Sequence, residues 1–266
     1  MNIGVFDSGF GGLTVLRALF DRLPAADYVY LGDTARLPYG AKSQATVARY
    51  AVSSARFLVD QGADYIVIAC NTASALALDA IRDAVPVPVL GVIETGADAA
   101  QGCTNSGDVL VIATAATVES HAYAAACRKR GLRAYEKACP LLVPLTEEGW
   151  IDHPVTEEVL AIYLTELLAE SAKTGLKPDT LVLGCTHYPL LRASIERKLP
   201  PTIKVIDSAD ATAAQVAATL TIPAPTGEES PQRTFYATDS VQKFRNLGTR
   251  FLGRPIDYVQ LIDLGG

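Results

Sequence analysis

The chain has 266 residues, 49% of them hydrophobic and 20% charged, and its formal net charge is −6 at pH 7. This length and composition provide a sizeable core, in one large domain or two smaller ones, and exclude long disordered regions. The acidic balance lacks the clustered Lys and Arg that bind phosphate backbones, so we expect no nucleic-acid partner.

The N-terminus and the cysteine count indicate the cellular compartment. Residues 1–7 lack the basic start and long apolar stretch of a signal peptide. No apolar run reaches the roughly 20 residues of a membrane-spanning helix. The five cysteines form no Cys-x-x-Cys pair, so neither a disulfide framework nor a zinc site is indicated. We therefore predict a cytoplasmic protein with reduced thiols, no membrane partner and no bound metal.

Apolar strand-like runs alternate with helical patterns along the first third of the chain. The strand-like runs are residues 3–6, 28–31, 65–69 and 89–92, and the helical patterns are residues 14–23, 43–61 and 75–85. The longest of these helices has Ser43 as its N-cap and Gly62 as its stop signal. Such alternation is typical of βαβ units and a mainly parallel sheet.

A second series of elements follows a polar stretch. Strand-like runs at 108–113 and 180–184 alternate with a helical stretch after Thr117 and helical patterns at 156–171 and 190–199. Residues 95–107 are predicted to cross to a second lobe and residues 205–208 to cross back. A helix at 209–220, an exposed loop at 221–232 and a last strand at 233–237 complete the chain.

The predicted fold is α/β, with two similar lobes that each hold a mainly parallel sheet flanked by helices. The N-terminal lobe is expected to comprise residues 1–95 plus 207–266, and the second lobe residues 96–206. In parallel sheets the ligand crevice lies outside the carboxyl ends of the strands. Because Asp7, Asp33, Cys70, Thr114 and Cys185 all fall at such ends, we expect the active site in the cleft between the lobes.

Cys70 and Cys185 are the most informative residues. Each ends a strand-like run and precedes small polar residues that open a helix, which is consistent with an internal duplication or with two units of independent origin. A thiol beside a helix N-terminus has its thiolate favoured, so we expect the pKa of both thiols to lie below the ordinary value of about 8.5. Cys103, Cys127 and Cys139 are interpreted as packing or incidental residues.

The glycine-rich loop at 7–12 is not a dinucleotide-binding fingerprint. Gly9 and Gly11 fit the first two glycine positions, but Thr14 occupies the third. The loop either brings backbone N–H groups close to a substrate carboxylate or is only a tight turn. Asp7 is a helix N-cap or a site residue, and Asp33 is a turn residue or a site residue.

Two thiols that face one pocket suit inversion of a carbon centre by proton transfer. One thiolate removes the Cα proton, and the opposite thiol returns a proton to the other face. Asn71, Thr72, Thr186 and backbone N–H groups are suited to stabilise the charge that develops on a substrate carboxylate. His187 either assists this proton transfer or is a hydrogen-bonded wall residue. No pyridoxal-lysine or metal signature is present, so no cofactor is expected.

Several motifs resemble those of the glutamate racemases in the aspartate/glutamate racemase family, and the similarity spans nearly the whole chain. They are the stretches at 7–12 (DSGFGG), 32–40 (GDTARLPYG), 69–74 (ACNTAS), 113–120 (ATAATVES), 139–141 (CPL), 143–149 (VPLTEEG) and 183–191 (LGCTHYPLL). The resemblance implies a cofactor-independent enzyme that interconverts L- and D-glutamate and supplies D-glutamate for peptidoglycan. It also implies a possible homodimer.

The resemblance also implies residue roles. Cys70 would take the proton from D-glutamate and Cys185 from L-glutamate, and Asp7, Asp33, Glu147 and His187 would assist proton handling. Glu147, rather than Glu148, is assigned to the family position. The substrate-binding residues implied are Asp7, Ser8, Pro38, Tyr39, Gly40, Asn71, Thr72, Thr114, Thr117, Thr186 and His187.

One departure from the family pattern is Thr95, where a proline is expected, and this change could loosen the hinge between the lobes. Three rival functions stay open. They are a racemase for aspartate or a hydantoin, a thiol hydrolase with one nucleophilic cysteine and His187 as base, and a glutamate-binding regulator without turnover.

Overall fold

The structure, a computed structural model, describes residues 1–221 and 230–265. The strands are β1 (Asn2–Asp7), β2 (Asp27–Gly32), β3 (Tyr65–Ile68), β4 (Val89–Gly91), β5 (Asp108–Ala113), β6 (Arg133–Ala138), β7 (Thr180–Gly184), β8 (Lys204–Asp207), β9 (Arg233–Ala237) and β10 (Gln260–Leu261). The α-helices are α1 (Leu13–Arg22), α2 (Gln44–Asp60), α3 (Asn71–Ala84), α4 (Val92–Cys103), α5 (Ala115–Glu119), α6 (Ala122–Lys129), α7 (Leu142–Glu147), α8 (Pro154–Lys173), α9 (Arg192–Lys198), α10 (Ala209–Thr219) and α11 (Val241–Leu252). Short 3₁₀ helices occupy Thr34–Arg36, Tyr39–Ala41 and Tyr188–Leu191.

Two separate parallel sheets confirm the predicted fold class. The first sheet has the order β10-β9-β2-β1-β3-β4 and the second the order β6-β5-β7-β8. Every strand pairing described in either sheet is parallel. We call the first sheet with its helices the first lobe and the second sheet with its helices the second lobe.

The two lobes share one topology in their central strands. The order β2-β1-β3-β4 in the first sheet corresponds to β6-β5-β7-β8 in the second. In each sheet the chain reverses its winding direction between the first and third strands, which is where ligand crevices form in such sheets. Cys70 follows β3 and Cys185 follows β7, so the two cysteines occupy equivalent places.

The central strands and the helix α2 form where the sequence predicts them, and their burial and end signals explain why. The strands β1, β3, β5 and β7 are buried on both faces, as expected for central parallel strands. The side chain of Ser43 accepts a hydrogen bond from Thr46 N and caps α2, as predicted. Gly62 follows that helix with φ at +81°, a conformation that favours glycine.

The two segments predicted to cross between the lobes belong largely to a helix and a strand. Residues 95–107 lie mostly in α4, whose inward face is formed by small residues that carry a weak hydrophobic signal, such as Ala97 and Ala100. Residues 205–208 were predicted to cross back, but β8 is an edge strand of the second sheet that pairs Val205 with Leu181. The return to the first sheet therefore runs through α10.

Other elements differ from the sequence-based expectations. The helix predicted at 75–85 begins four residues earlier, at Asn71, because Cys70 caps it. The strand β6 carries Arg, Glu and Lys at a sheet edge and shows no apolar run. The helices α7 and α11 were not predicted, and β10 follows β9, which was expected to be the last strand. Most of the loop predicted at 221–232 lies outside the described residues.

Candidate active site

A cavity of about 340 Å³ opens between the carboxyl ends of the two sheets. Its walls come from the segments after β1, β2 and β3 in the first lobe and after β5, β6 and β7 in the second. The lining residues are Ser8, Leu37, Pro38, Tyr39, Gly40, Ala41, Cys70, Asn71, Thr72, Thr114, Ala115, Pro140, Val143, Pro144, Glu147, Cys185, Thr186 and His187. The cavity therefore brings both cysteines of interest to one site.

Cys70 enters the cavity from the first lobe at the N-cap of α3. Its Sγ accepts a hydrogen bond from Ala73 N at 3.4 Å and lies 3.6 Å from Ser8 Oγ. Burial and the nearby charge of Asp7 raise the pKa of the Cys70 thiol from 9.0 to about 12. The expectation of a lowered pKa is thus wrong for Cys70, because desolvation outweighs the hydrogen bonds at the start of the helix.

Cys185 enters from the second lobe at the end of β7 and is accompanied by a histidine and a carboxylate. Its Sγ lies 3.9 Å from His187 Nδ1, and His187 Nε2 lies 3.1 Å from Glu147 Oε1. Burial lowers the pKa of His187, but the interactions with Cys185 and Glu147 outweigh it and raise the pKa to about 10. The two cysteines therefore have different proton environments.

Asp7 lies behind the cavity wall, at the junction of the lobes. Its carboxylate accepts hydrogen bonds from Gly9 N at 2.9 Å and from the Thr186 hydroxyl at 3.3 Å. Burial raises its pKa, although the charge of His187 and the hydrogen bonds partly oppose that shift. Asp7 is fully buried and is not among the cavity-lining residues. In the structure it supports the wall through Thr186, and its predicted contact with the substrate stays a prediction.

Three threonine hydroxyls join the lobes across the cavity. Thr72 Oγ1 lies 2.9 Å from Thr114 Oγ1 and 3.2 Å from Thr117 Oγ1, and the last two oxygens are 3.0 Å apart. Thr72 and Thr114 line the cavity, whereas Thr117 is fully buried behind them. In the structure the Thr117 hydroxyl contacts Thr72 and Thr114, and its predicted contact with the substrate stays a prediction.

The polar wall of the first lobe is held in place by buried phenols and carboxylates. The hydroxyl of Tyr123 donates to Asn71 Oδ1 at 2.7 Å. The hydroxyl of Tyr39 donates to Asp33 at 2.5 Å, and Arg36 Nε donates to the same carboxylate at 2.9 Å. Asp33 is fully buried and does not line the cavity, so its contacts orient Tyr39.

Glycines let the loops of the two lobes approach each other. A Cβ on Gly11 would collide with the side chains of Thr186 and His187. A Cβ on Gly40 would lie 2.7 Å from Thr114 Cβ, which is too close for real atoms. In the structure Gly11 therefore serves a close backbone approach between lobes, and glycine is required there because it has no side chain.

The sequence profile of the Asp/Glu/Hydantoin racemase family matches residues 3–216. The chain belongs to that family. It is 50% identical to a glutamate racemase from Koribacter versatilis, over 99% of this chain and 98% of that protein. It is 47% identical to one from Syntrophus aciditrophicus, over 98% of this chain and 96% of that protein. The resemblance read from the motifs is confirmed.

A solved structure supports the same assignment. The glutamate racemase of Francisella tularensis, crystallised in complex with D-glutamate, aligns with a TM-score of 0.88 and 38% identity. The alignment covers 99% of this chain and 97% of that chain. The family assignment therefore applies to the whole architecture, including both walls of the cavity.

Of the site residues predicted for this racemase-family chain, most are brought together by the fold. Ser8, Pro38, Tyr39, Gly40, Asn71, Thr72, Thr114, Thr186 and His187 line the cavity with the two cysteines and Glu147. Glu147, not Glu148, faces the cavity and His187. The lining residues not predicted are Leu37, Ala41, Ala115, Pro140, Val143 and Pro144. They lie within or beside the family motifs, but their nonpolar side chains carry no chemical signal.

The described part of the chain contains neither a metal-binding cluster nor a membrane-spanning helix. Across residues 1–221 and 230–265, no group of three or more His, Cys, Asp and Glu side chains is arranged to hold a metal ion. None of the helices in these ranges combines the length and apolarity needed to traverse a bilayer.

Proposed function

We propose that this protein is a glutamate racemase that interconverts L- and D-glutamate by proton transfer at the α-carbon, without an organic cofactor. The observation that carries the proposal is the entry of Cys70 and Cys185 into one cavity from opposite lobes. The names of the close relatives favour glutamate as the substrate. The bound D-glutamate of the Francisella tularensis enzyme favours it as well.

The proposed reaction uses the two sulfurs as an exchangeable base and acid. From L-glutamate, the Cys185 thiolate takes the Cα proton and becomes a thiol, leaving a carbanion whose charge is delocalised into the α-carboxylate. The Cys70 thiol then delivers its proton to the opposite face, which gives D-glutamate and a Cys70 thiolate. The reverse reaction exchanges these roles, so each turnover moves one proton in and one proton out.

The two sulfurs differ in how they would be charged. The raised pKa of Cys70 keeps it a thiol at neutral pH, which suits it to donate the proton in the L-to-D direction. The protonated imidazole of His187, with a pKa of about 10, is at hydrogen-bond distance from Cys185 and can donate a proton there, after which the neutral imidazole can take one back. Asp7 would act on Cys70 through its charge, and it also accepts a hydrogen bond from Thr186, the residue after Cys185.

Substrate carboxylates would be held mainly by uncharged donors. No Lys or Arg is among the cavity-lining residues in the described ranges, where the side-chain donors are hydroxyls, the Asn71 amide and the His187 imidazole. The residues Ser8, Thr72 and Thr186, which carry hydroxyls, line the same cavity as the two cysteines. Such preoriented donors stabilise the charge that develops on a carboxylate as the Cα proton leaves.

The decisive experiment compares cysteine variants in deuterated water. Cys70→Ala and Cys185→Ala should each lower kcat/KM by about 100-fold to 10,000-fold, the range for loss of a general acid or base. Because the two enantiomers have equal free energies, each variant must lower kcat/KM equally in both directions. Cys103→Ala, which removes a thiol outside the cavity, is the matched control and should retain activity.

The wild-type enzyme should release early product that carries deuterium at Cα while the remaining substrate stays protiated. Rapid labelling of recovered substrate, or wild-type turnover in either cavity variant, would contradict the two-base reaction. Any residual α-proton exchange should be confined to L-glutamate in Cys70→Ala and to D-glutamate in Cys185→Ala. A covalent acyl-enzyme with only one essential cysteine would instead identify a thiol hydrolase, and binding without turnover a regulator.

The proposal extends to the cellular role. We propose that the protein works in the cytoplasm and supplies D-glutamate for peptidoglycan, as a possible homodimer with lobes at 1–95 plus 207–266 and at 96–206. Rescue of a bacterial strain that requires D-glutamate would support this role, and failure of an active enzyme to rescue would contradict it. A substrate panel with aspartate and a hydantoin tests the related racemase activities.

A further inference from the structure

Helix α11 of the first lobe reaches across the cleft to the Glu147–His187 pair of the second lobe. Phe251, near the end of this helix, is fully buried and packs edge-on against the His187 ring at 5.3 Å between centroids. Lys243, near its start, lies 3.9 Å from Glu147 Oε2. Neither residue lines the cavity, so both would act on the reaction only through their neighbours.

The two oxygens of Glu147 have different partners. Oε1 lies 3.1 Å from His187 Nε2, and Oε2 faces Lys243 Nζ. Within the described residues, His187 and Lys243 are the cations at ion-pair distance from this carboxylate. A carboxylate held at both oxygens has a restricted terminal torsion, which is otherwise broad. Lys243 therefore favours the orientation of the carboxylate plane in which one oxygen faces the imidazole and the other faces the lysine.

The orientation of His187 depends on the same contacts. Its Nδ1 must face Cys185 Sγ, while Nε2 is anchored by Glu147 and the ring edge is limited by Phe251. The ionisable groups that face His187 are Cys185, Glu147 and the more distant Asp7. The Lys243 Nζ atom lies 5.9 Å from the centre of the Phe10 ring. Phe10 belongs to the glycine-rich loop at residues 7–12.

We propose that Lys243 is a positioning residue, which holds Glu147 Oε2 from the opposite lobe so that Oε1 anchors His187 in line with Cys185. The inference rests on the proposed racemase function. Because Lys243 does not line the cavity, its loss should change the chemical step and leave substrate binding nearly intact. Its side chain is about half exposed (48%), so the effect should be moderate.

The experiment is a double-mutant cycle between Lys243 and Glu147. Lys243→Met should lower kcat about threefold to fivefold, with KM changed by less than about twofold. Lys243→Arg, which keeps the cation, should restore most of the loss. In the Glu147→Gln background the same Lys243→Met change should have little further effect, because its contact is already lost. Lys204→Met, on β8, removes an exposed lysine far from the site and is the matched control.

The outcomes of this double-mutant cycle test the positioning role of Lys243 separately from the proposed racemase function. An unchanged kcat in Lys243→Met, an equal effect of that change with and without Glu147, or failure of Lys243→Arg to rescue would overturn the positioning role. Those results would leave the racemase function standing, since wild-type turnover measures it separately. Loss of secondary structure by circular dichroism in Lys243→Met, with no rescue by Lys243→Arg, would also count against the proposal, because it would identify a folding role.

Discussion

At the scale of single residues, the two cysteines are equivalent in position but differ in their neighbours. Cys70 has a serine hydroxyl and a backbone N–H around its sulfur, together with a nearby carboxylate that disfavours negative charge. Cys185 has an imidazole that keeps its proton to high pH. The two directions of the proposed reaction are mirror images, but the two cysteines that would catalyse them have different surroundings. Only Cys185 has a histidine beside its sulfur among the described contacts.

The raised pKa of His187 predicts a pH-dependent stability. The folded protein keeps the imidazole protonated up to about pH 10, whereas the ordinary value of 6.5 applies when the chain is unfolded. The contribution is complete below pH 6.5 and decreases as the pH rises toward 10, because the folded state then binds more protons than the unfolded state. The free energy of unfolding should therefore fall with pH in this window, by up to about 1 kcal/mol per pH unit.

Chemical denaturation of the wild type and of His187→Asn, between about pH 6.5 and 8.5, measures this slope. That range avoids the buried Cys70 thiol, which adds a slope of the same sign only at higher pH. His121→Asn is the matched control, because its ring is 75% exposed and its positive φ suits asparagine. Equal slopes in wild type and His187→Asn would refute the prediction.

At the scale of elements, α4 and α10 are the two connections between the sheets, and they contact each other. The hydroxyl of Thr95 in α4 lies 2.7 Å from the Thr212 hydroxyl in α10 and donates to Val92 O at 3.1 Å. Thr95 stands where the family pattern leads one to expect proline. Because Thr95 lies inside a helix, the helical hydrogen bonds already fix its backbone. Its hydroxyl also adds a hydrogen bond between α4 and α10.

Thr95→Val should lower the free energy of unfolding by about 1 kcal/mol, because it keeps the side-chain shape but leaves the buried Thr212 hydroxyl without this partner. Thr212→Val should cost a similar amount. The double variant should cost less than the sum of the two, since both remove the same bond. Urea denaturation of the three variants provides the test, and strictly additive losses would show that the hydroxyls do not interact.

At the scale of the whole molecule, the site exists only where the two lobes meet. The threonine cluster, the contact of Asp7 with Thr186, and the contacts of α11 with Glu147 and His187 all join the lobes around the cavity. Gly11 lies at the tightest of these approaches. A small change in the spacing of the lobes would therefore alter the distance between the two sulfurs and the substrate.

Gly11→Ala should lower kcat/KM by at least about 100-fold, because its Cβ would displace Thr186 and His187 or separate the lobes. Gly102→Ala is the matched control, because a Cβ there meets nothing within 4 Å and alanine favours the helix by about 0.5–1 kcal/mol. Steady-state kinetics and thermal unfolding of both variants give the comparison. Normal turnover in Gly11→Ala would mean that the loop can move without loss of function.

The alternating α/β architecture could be predicted from the sequence alone, because buried parallel strands appear as short apolar runs and α2 carries both its cap and its stop signal. The sequence also identifies Cys70 and Cys185 as the residues of interest, since each follows a central strand. The helix α4 and the strand β6 escaped prediction, because a helix face of small residues and a charged edge strand carry little periodic signal. The helix α7 escaped it because six residues are too few to show a helical period.

The surroundings of those residues depend on contacts between segments that are distant in the chain. The high pKa of Cys70 depends on its burial and on its distance from Asp7. Neither the burial of the thiol nor that distance can be read from the residues around Cys70 in the sequence. The bond from His187 to Glu147 and the approach of Lys243 join residues far apart in the chain. Local sequence sets backbone conformation and burial pattern, but the electrostatics and spacing of a site between two lobes arise only when distant segments pack together.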